Sequence, residues 1–547
     1  MTTTASRTVI FWGAGATATL GMRTTEDQGA FLGHLAGGRG ESLNHRVKAA
    51  LHGSSDEQWT SALCDLLTIL GDQVEGSASA IRITPAQIDA MRRNWRPGAD
   101  DEELRGRIVL LRTLYDWPAL KAAINICPAV KVGITSVTDL FNILEMHGHS
   151  GHGFRKNEDE FLTPQQVIGA RNALKMLLQT MFYIDYHQQS LGKSKQALDY
   201  HYEFGVALAK RMQRQGLALA ESMAFDDRRF YMGDVSFACL NYDPIALWSQ
   251  IIANSNLNHS TAVPHVGCPA SRLQIFHDLG HFVAGRRIVE RGEESGRNTP
   301  WHPMNESSAQ RLNDADHGAN VRIRISKFLF PHGCLCWREC PDCGKLSSYL
   351  GDAWDLDSAT LIPPPPLMAF VQHINFRARR KAESDAWEKG EVDARACVHC
   401  DTLTYAHHTQ TLMQSNFKSA PPPAIEEIQR DLRVTVQNAD HIVLMGYSLP
   451  PDDVTYRAFF AARCRRDSDP AKPKVKCSVV VGRGHPPHWL GPSDWPSPHS
   501  TLEAACDLFG KDNVRFYGGG IPNVFLNGGG AVTESSLEHL LTWERAL

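Results

Sequence analysis

Apolar residues gather into short unbroken runs at four widely separated places, Val9 to Trp12, Val235 to Leu240, His441 to Met445 and Val479 to Val481, and each run predicts a strand. Between the first two, apolar positions recur at three- and four-residue spacing around Glu57 to Leu70, Glu102 to Leu114, Pro164 to Tyr183 and Leu198 to Met212, with few glycines. That spacing predicts amphipathic helices. Together the patterns place the chain in the α/β class, as a doubly wound, Rossmann-like parallel sheet carrying a large helical insertion. Pro363 to Pro366 and Pro421 to Pro423 continue neither helix nor central strand and read as stiff connectors bracketing a module. Tyr517-Gly518-Gly519-Gly520 and Asn527-Gly528-Gly529-Gly530 mark loops, and Ser535 to Leu547 reads as a closing helix.

Composition removes several function classes. The 547 residues exceed a typical single domain several-fold, and 42% hydrophobic with 21% charged residues is an ordinary globular balance. A net charge of -4 gives no bulk attraction to nucleic acid or to an anionic membrane, so no direct nucleic-acid binding is expected. The densest basic stretch, Phe376-Arg377-Ala378-Arg379-Arg380-Lys381, reads as a solvated helix face. Met1 to Arg7 lacks the layout of a secretory signal, and no apolar run of about 18 residues offers a membrane span. The 13 cysteines are odd in number and many stand singly, which fits reduced thiols and a cytoplasmic setting.

Two local signals carry chemistry. The first strand breaks into Gly13-Ala14-Gly15-Ala16-Thr17, where glycines allow close approach to a pyrophosphate and the N–H groups of a helix starting near Thr17 to Leu20 would face it. The same turn also reads as an ordinary tight turn, since Gly13, Gly15 and Gly21 do not spell G-x-G-x-x-G. Cys340-Pro341-Asp342-Cys343 and Cys397-Val398-His399-Cys400 give two C-x2-C turns 53 residues apart. They are candidate ligands of a closed, structural tetrahedral Zn2+ site, with Cys334 and Cys336 near enough to be alternatives. His277 and His281, at i and i+4, are a rival metal pair if helical, although the Glu of H-E-x-x-H is missing. The histidines from His147 to His152 read as a polar loop.

Four features then fall in order: Gly13-Ala14-Gly15; Cys239-Leu240-Asn241-Tyr242-Asp243-Pro244; Pro331-His332-Gly333 just before the cysteine pairs; and Gly446-Tyr447-Ser448-Leu449-Pro450 closing a strand. This order resembles the sirtuin superfamily, and the form at 446 to 453 looks most like the bacterial sirtuin-like NAD-consuming proteins of antiphage defence. The resemblance covers the motif-bearing sheet and the cysteine module, and leaves the helical insertion outside. It divides the chain into 1–55, the first part of an NAD-binding domain; 56–230, the helical insertion; 231–333, the continuation with the Asn and His motifs; 334–425, the zinc module; and 426–547, the last part of the NAD-binding domain. His-Gly also occurs at His52, His147 and His317, and the order favours His332 as the active histidine.

Cleaving the N-glycosidic bond of NAD+ builds oxocarbenium character on the ribose, so a site must place a nucleophile and handle a proton. Asn241 can orient water or a ribose hydroxyl, and His332, with an ordinary pKa of about 6.5, can accept the proton. By the resemblance, Asp243 holds the nicotinamide carboxamide, and Gly13 to Thr17, Gly446 and Ser448 contact NAD+. A deacetylase is expected to carry an Asp-Phe-Arg type segment, where this chain has Arg23-Thr24-Thr25-Glu26-Asp27-Gln28. Thr24, Thr25 or Glu26 is expected to border the nicotinamide pocket.

The implied activity is an NAD+ glycohydrolase that depletes NAD+ in antiphage defence. Its rivals are an NAD+-dependent protein deacylase and a non-catalytic NAD+ or ADP-ribose sensor. A constitutive hydrolase would kill its host, so the resemblance implies a homo-oligomer and a regulatory partner such as a hexameric ATPase, a short Argonaute or a phage component.

Overall fold

The computed structural model describes residues 7–24, 27–32, 64–70, 83–94, 98–127, 136–155, 161–188, 195–260, 264–265, 268–287, 304–314, 321–340, 342–350, 395–397, 399–400, 403–404, 421–451, 453–465, 474–482, 487–495 and 499–543. A nine-stranded sheet is built from β1 (Thr8–Trp12), β2 (Val235–Cys239), β3 (Pro264–His265), β4 (Cys268–Asp278), β5 (Val321–Leu329), β6 (His441–Met445), β7 (Lys476–Val480), β8 (Trp489–Leu490) and β9 (Val514–Tyr517). Its spatial order is β8-β9-β7-β6-β1-β2-β5-β4-β3. The seven inner strands are mutually parallel, and only the short edge strands β3 and β8 pair antiparallel.

The four apolar runs predicted as strands form β1, β2, β6 and β7, each almost wholly buried. β4, β5 and β9 lie outside that reading. Arg322, Arg324 and Lys327 break up the apolar pattern of β5, yet all three are buried there. Arg324 donates to the Phe230 carbonyl, and Lys327 pairs with Asp278 and Asp431. A buried cation needs such partners, and these come from distant parts of the chain.

The register levels the carboxyl ends of three neighbours: Trp12 stands opposite both Cys239 and Met445. From β1 the chain first lays strands to one side (β2, β5, β4) and then to the other (β6, β7, β9). The order therefore reverses at β1 and β6. Loops leaving β1, β2 and β6 meet at this reversal, the place where open parallel sheets form a crevice.

The segment between β1 and β2 is mostly helical in its described parts, with one short antiparallel pair, Phe154–Arg155 against Phe161–Leu162: α1 (Ala14–Ala18), α2 (Pro85–Asn94), α3 (Asp101–Leu114), α4 (Trp117–Ile126), α5 (Val137–Ser150), α6 (Pro164–Gln188) and α7 (Lys195–Ala220). Local chemistry sets the starts, since Asp100, Asp116 and Ser136 each accept a backbone N–H in the first turn of α3, α4 and α5. α5 runs through His147 to Ser150 and stops at Gly151 in the left-handed conformation, so the expected polar loop is there a helix end. α2 to α6 share one hydrophobic core, which also takes in Tyr242, Trp248 and Leu335. α7 instead sends Phe204, Ala207 and Leu208 into the core of the sheet.

After β2 come α8 (Ile245–Ser260), α9 (Glu306–Asn313), α10 (Pro423–Gln437), α11 (Val454–Arg465), α12 (Ser500–Phe509) and α13 (Glu534–Leu541). Pro423 opens α10 instead of extending a connector, because a proline at the first helical position gives up an N–H that has no partner anyway. The closing helix is α13, and Trp543 packs its ring near His441. Pro363 to Pro366, the basic stretch at 376 to 381, His52 and His317 lie outside the described residues.

Candidate functional site

β1 ends at Trp12 and α1 begins at Ala14, earlier than the predicted Thr17 to Leu20. The turn is crossed at close range by the loop leaving β6. Gly13 N–H donates to Met445 O and Gly15 N–H to Gly446 O, each at 2.9 Å. A Cβ on Gly13 would lie 2.5 Å from Gly446 O, and one on Gly446, whose φ is +61°, would strike the backbone of Gly15 and Ala16. Only glycine fits the crossing. The Ala16 amide donates to Gly13 O. The amides of Gly13, Gly15 and Ala16 are therefore engaged by the protein's own carbonyls, and the glycines allow the contact of loop with loop.

Thr17 is the side chain this turn delivers. Its hydroxyl accepts from Asn241 Nδ2 at 2.8 Å and lies 3.3 Å from Asp243 Oδ2, to which it can donate. Asn241 Nδ2 also donates to Gly13 O at 3.0 Å, and Asp243 Oδ1 accepts the Ile245 N–H at 3.1 Å. Asn241 is 8% and Asp243 3% exposed. Burial raises the Asp243 carboxyl to about 6, more than offsetting the hydrogen bonds from Ile245, Thr17 and Asn241 that favour its charge.

A small cleft opens beside this group. Thr17, Asn241, Arg23 and Gln28 give it polar wall, and Val137, Phe141 and Phe182 of α5 and α6 close it from the helical side. Arg23 fastens the two sides together: its backbone N–H donates to Asp185 Oδ2 at 3.1 Å and its guanidinium pairs with the same carboxylate. Thr24 is tied to Asp27, through Thr24 Oγ1 to Asp27 Oδ2 at 2.7 Å; Thr25 and Glu26 lie outside the described residues. From this segment, Arg23 and Gln28 line the cleft.

His332, 1% exposed, sits beside this group, with its ring centroid 6.2 Å from that of Tyr242. Leu335 N–H donates to Tyr242 O at 2.8 Å and holds the two segments together. Its Nε2 is 3.1 Å from the hydroxyl of Tyr456. The structure thus brings Gly13, Thr17, Asn241 and Asp243 into direct contact and sets His332 against their flank. Ser448 is exposed. Ala14 lines the cleft, while Ala16 is buried in the core of the sheet.

The four paired cysteines gather in a separate cluster. Sγ atoms of Cys340, Cys343, Cys397 and Cys400 all lie within 4.8 Å of one another, with Cys340 to Cys400 at 3.8 Å and Cys343 to Cys397 at 3.7 Å. A tetrahedral ion with metal–sulfur bonds of about 2.3 Å requires an edge of about 3.8 Å, so this cluster can hold a metal ion. Gly344, at φ +66°, turns the chain so that its N–H reaches Cys340 O at 2.9 Å. Cys334 and Cys336 fall outside this cluster: their sulfurs lie 3.3 Å from each other in the core under Trp337. His277 and His281 are no helix pair, because β4 runs to Asp278. His277 is buried against Ser326, and His281 is exposed and paired with Glu427.

Compared with known proteins, the chain matches no family model and no curated sequence. Sequence reasoning named Thr17, Asn241, Asp243, His332 and the four cysteines. It missed Arg23, Gln28, Phe141, Phe182 and Tyr456. The two phenylalanines read only as core positions of amphipathic helices, and no local pattern marks the others.

Proposed function

We propose that the protein is a sirtuin-like NAD+ glycohydrolase that cleaves NAD+ to nicotinamide and ADP-ribose, an effector that depletes NAD+ in antiphage defence when triggered. The observation that carries this reading is the seat of Asn241, held by Thr17 and Gly13 beside Asp243 at the reversal point of a parallel sheet, on the wall of a cleft. A cleft mostly apolar with a few convergent polar groups suits a heteroaromatic ring bearing a carboxamide. Asn241 orients the attacking water or ribose hydroxyl, Asp243 receives the carboxamide, and His332 takes the proton released as the nucleophile adds. The sheet domain is taken to be Rossmann-like, and the four-cysteine metal to be Zn2+, which would hold the fold without touching substrate.

The helical wall at Phe141 and Phe182 closes one side of the cleft, which favours a small substrate over an extended acyl-lysine peptide and so supports hydrolysis over deacylation. The test is nicotinamide release from NAD+ by wild type, Asn241→Ala and His332→Ala, with and without infected-cell extract and an acylated peptide. Wild type is expected to release nicotinamide without peptide, and each variant to be slower by about 10²- to 10⁴-fold. Release that requires the peptide would replace the reading with a deacylase. NAD+ binding without product under every condition would replace it with a sensor.

A further inference from the structure

Among the described residues that line the cleft, Arg23 carries the charge, and the others are apolar or neutral. A phosphate entering the cleft needs donors with positive character. The turn after β1 does not offer the amides of Gly13, Gly15 and Ala16, which are engaged by carbonyls. Arg23 is fixed on three sides. Its backbone N–H donates to Asp185 Oδ2 at 3.1 Å, its carbonyl accepts from Gln28 Nε2 at 3.2 Å, and its guanidinium carbon lies 4.4 Å from the centre of the Phe31 ring. A ring contact of that kind steadies a guanidinium without using its N–H groups.

The guanidinium reaches Asp185 of α6 through Nη1. Nε and Nη2 have no hydrogen-bond partner among the described residues. The Arg23 side chain is 23% exposed and Asp185 only 3%. Arg23 lines the cleft and Asp185 does not. The unused donors thus belong to the open member of the pair, with the carboxylate shut in behind it. A guanidinium paired on one edge can take an anion's oxygens on another.

We propose that Arg23 anchors a phosphate or diphosphate ester in the cleft, and that Asp185, by cancelling part of its charge, lets the helical insertion set how tightly that ligand is held. Taking the ligand to be the diphosphate of NAD+ or ADP-ribose rests on the glycohydrolase reading. Binding at Nε and Nη2 leaves the Nη1 contact in place, so no buried charge is stranded. A shift of α6 away from the turn after β1 weakens the ion pair and strengthens the anchor, without touching Asn241 or Asp243.

The signs of two substitutions test this, read by calorimetry of ADP-ribose binding to the full chain above about pH 7, where Asp185 is ionised. Arg23→Gln is expected to bind at least tenfold more weakly than wild type, and Asp185→Asn about threefold more tightly. Asp185→Asn keeps an oxygen for the Arg23 N–H and removes the competing charge. A pair that only fastened the two sides of the cleft would make both variants weaker. Equal or weaker binding by Asp185→Asn therefore overturns the proposal, even where Arg23→Gln fails to fold. Unchanged affinity in Arg23→Gln, or no binding to wild type, overturns it as well. Nicotinamide release by the same wild-type preparation separates this outcome from the fate of the glycohydrolase reading. Binding that follows both signs without any release keeps the anchor and sinks the hydrolase, and release with affinities unmoved by either variant does the reverse.

Discussion

Wild type is expected to carry about one zinc ion per chain, and Cys397→Ser is expected to hold none tightly and to lower the thermal midpoint by far more than an ordinary surface substitution. Four thiols at tetrahedral spacing are close enough to penalise one another. Cys340 is raised far above an ordinary thiol, first by the hydrogen bond with Cys397 and then by burial, and burial raises Cys343 to about 11. A bound ion replaces those protons and turns crowding into four bonds. Its loss releases the turn at Cys340 to Gly344 and with it Trp337, whose ring packs in the core of the sheet against Phe330, two residues before His332. Structural zinc contributes on the order of 10 kcal/mol to small domains, comparable with the whole stability of a typical protein. Elemental analysis and melting curves, with and without a chelator, check it. A Cys397→Ser protein with full zinc content and an unshifted midpoint would show that the cluster holds no structural metal.

The second large effect is a gain in stability. Asp243 is raised by burial to about 6, against about 3.9 for the unfolded chain. The fold therefore favours the protonated carboxyl: that contribution is fully present below about pH 4 and is lost as pH rises through about 6. Asp243→Asn removes the charge but keeps an acceptor for the Ile245 N–H. Its advantage over wild type should be near zero at pH 4 and grow to roughly 3 kcal/mol above pH 7. Asp185, also raised to about 6 by burial, titrates in the same window in both proteins, so the difference between the two curves is the diagnostic quantity. Urea unfolding from pH 4 to pH 8 measures it. NAD+ cleavage should fall in the same variant, the stability and activity costs being opposed as they are at many active sites. A variant no more stable than wild type at pH 8 would mean that Asp243 bears its charge there without strain.

What could be read from sequence follows the locality of each signal. β1, β2, β6 and β7 are self-contained apolar runs and were recognisable without partners. β5 was not, because Arg322, Arg324 and Lys327 look solvent-facing until Phe230 and Asp278 are brought beside the strand by the fold. The cysteine pairs carry their geometry in their spacing, and the order of Asn241, His332 and Gly446 survives the long insertions between them. The helical wall of the cleft does not. Phe141 and Phe182 differ in no local respect from other buried positions of α5 and α6, and only the Arg23 to Asp185 tie shows why they face the turn after β1. The glycines teach a related lesson: Gly13 and Gly15 read as room for a pyrophosphate and Gly446 as room for the cofactor, and in the fold the three also lie in close contact with one another.

The seat formed by Thr17, Asn241 and Asp243 is most directly tested by titrating NAD+ into His332→Ala, in which turnover is suppressed, and into the same variant carrying Thr17→Val. Calorimetry should show saturable binding at about one NAD+ per chain in the first and an affinity at least tenfold weaker in the second, a loss of about 1.4 kcal/mol or more. Equal affinity in the two, or no binding to either, would contradict a nucleotide site at this cleft.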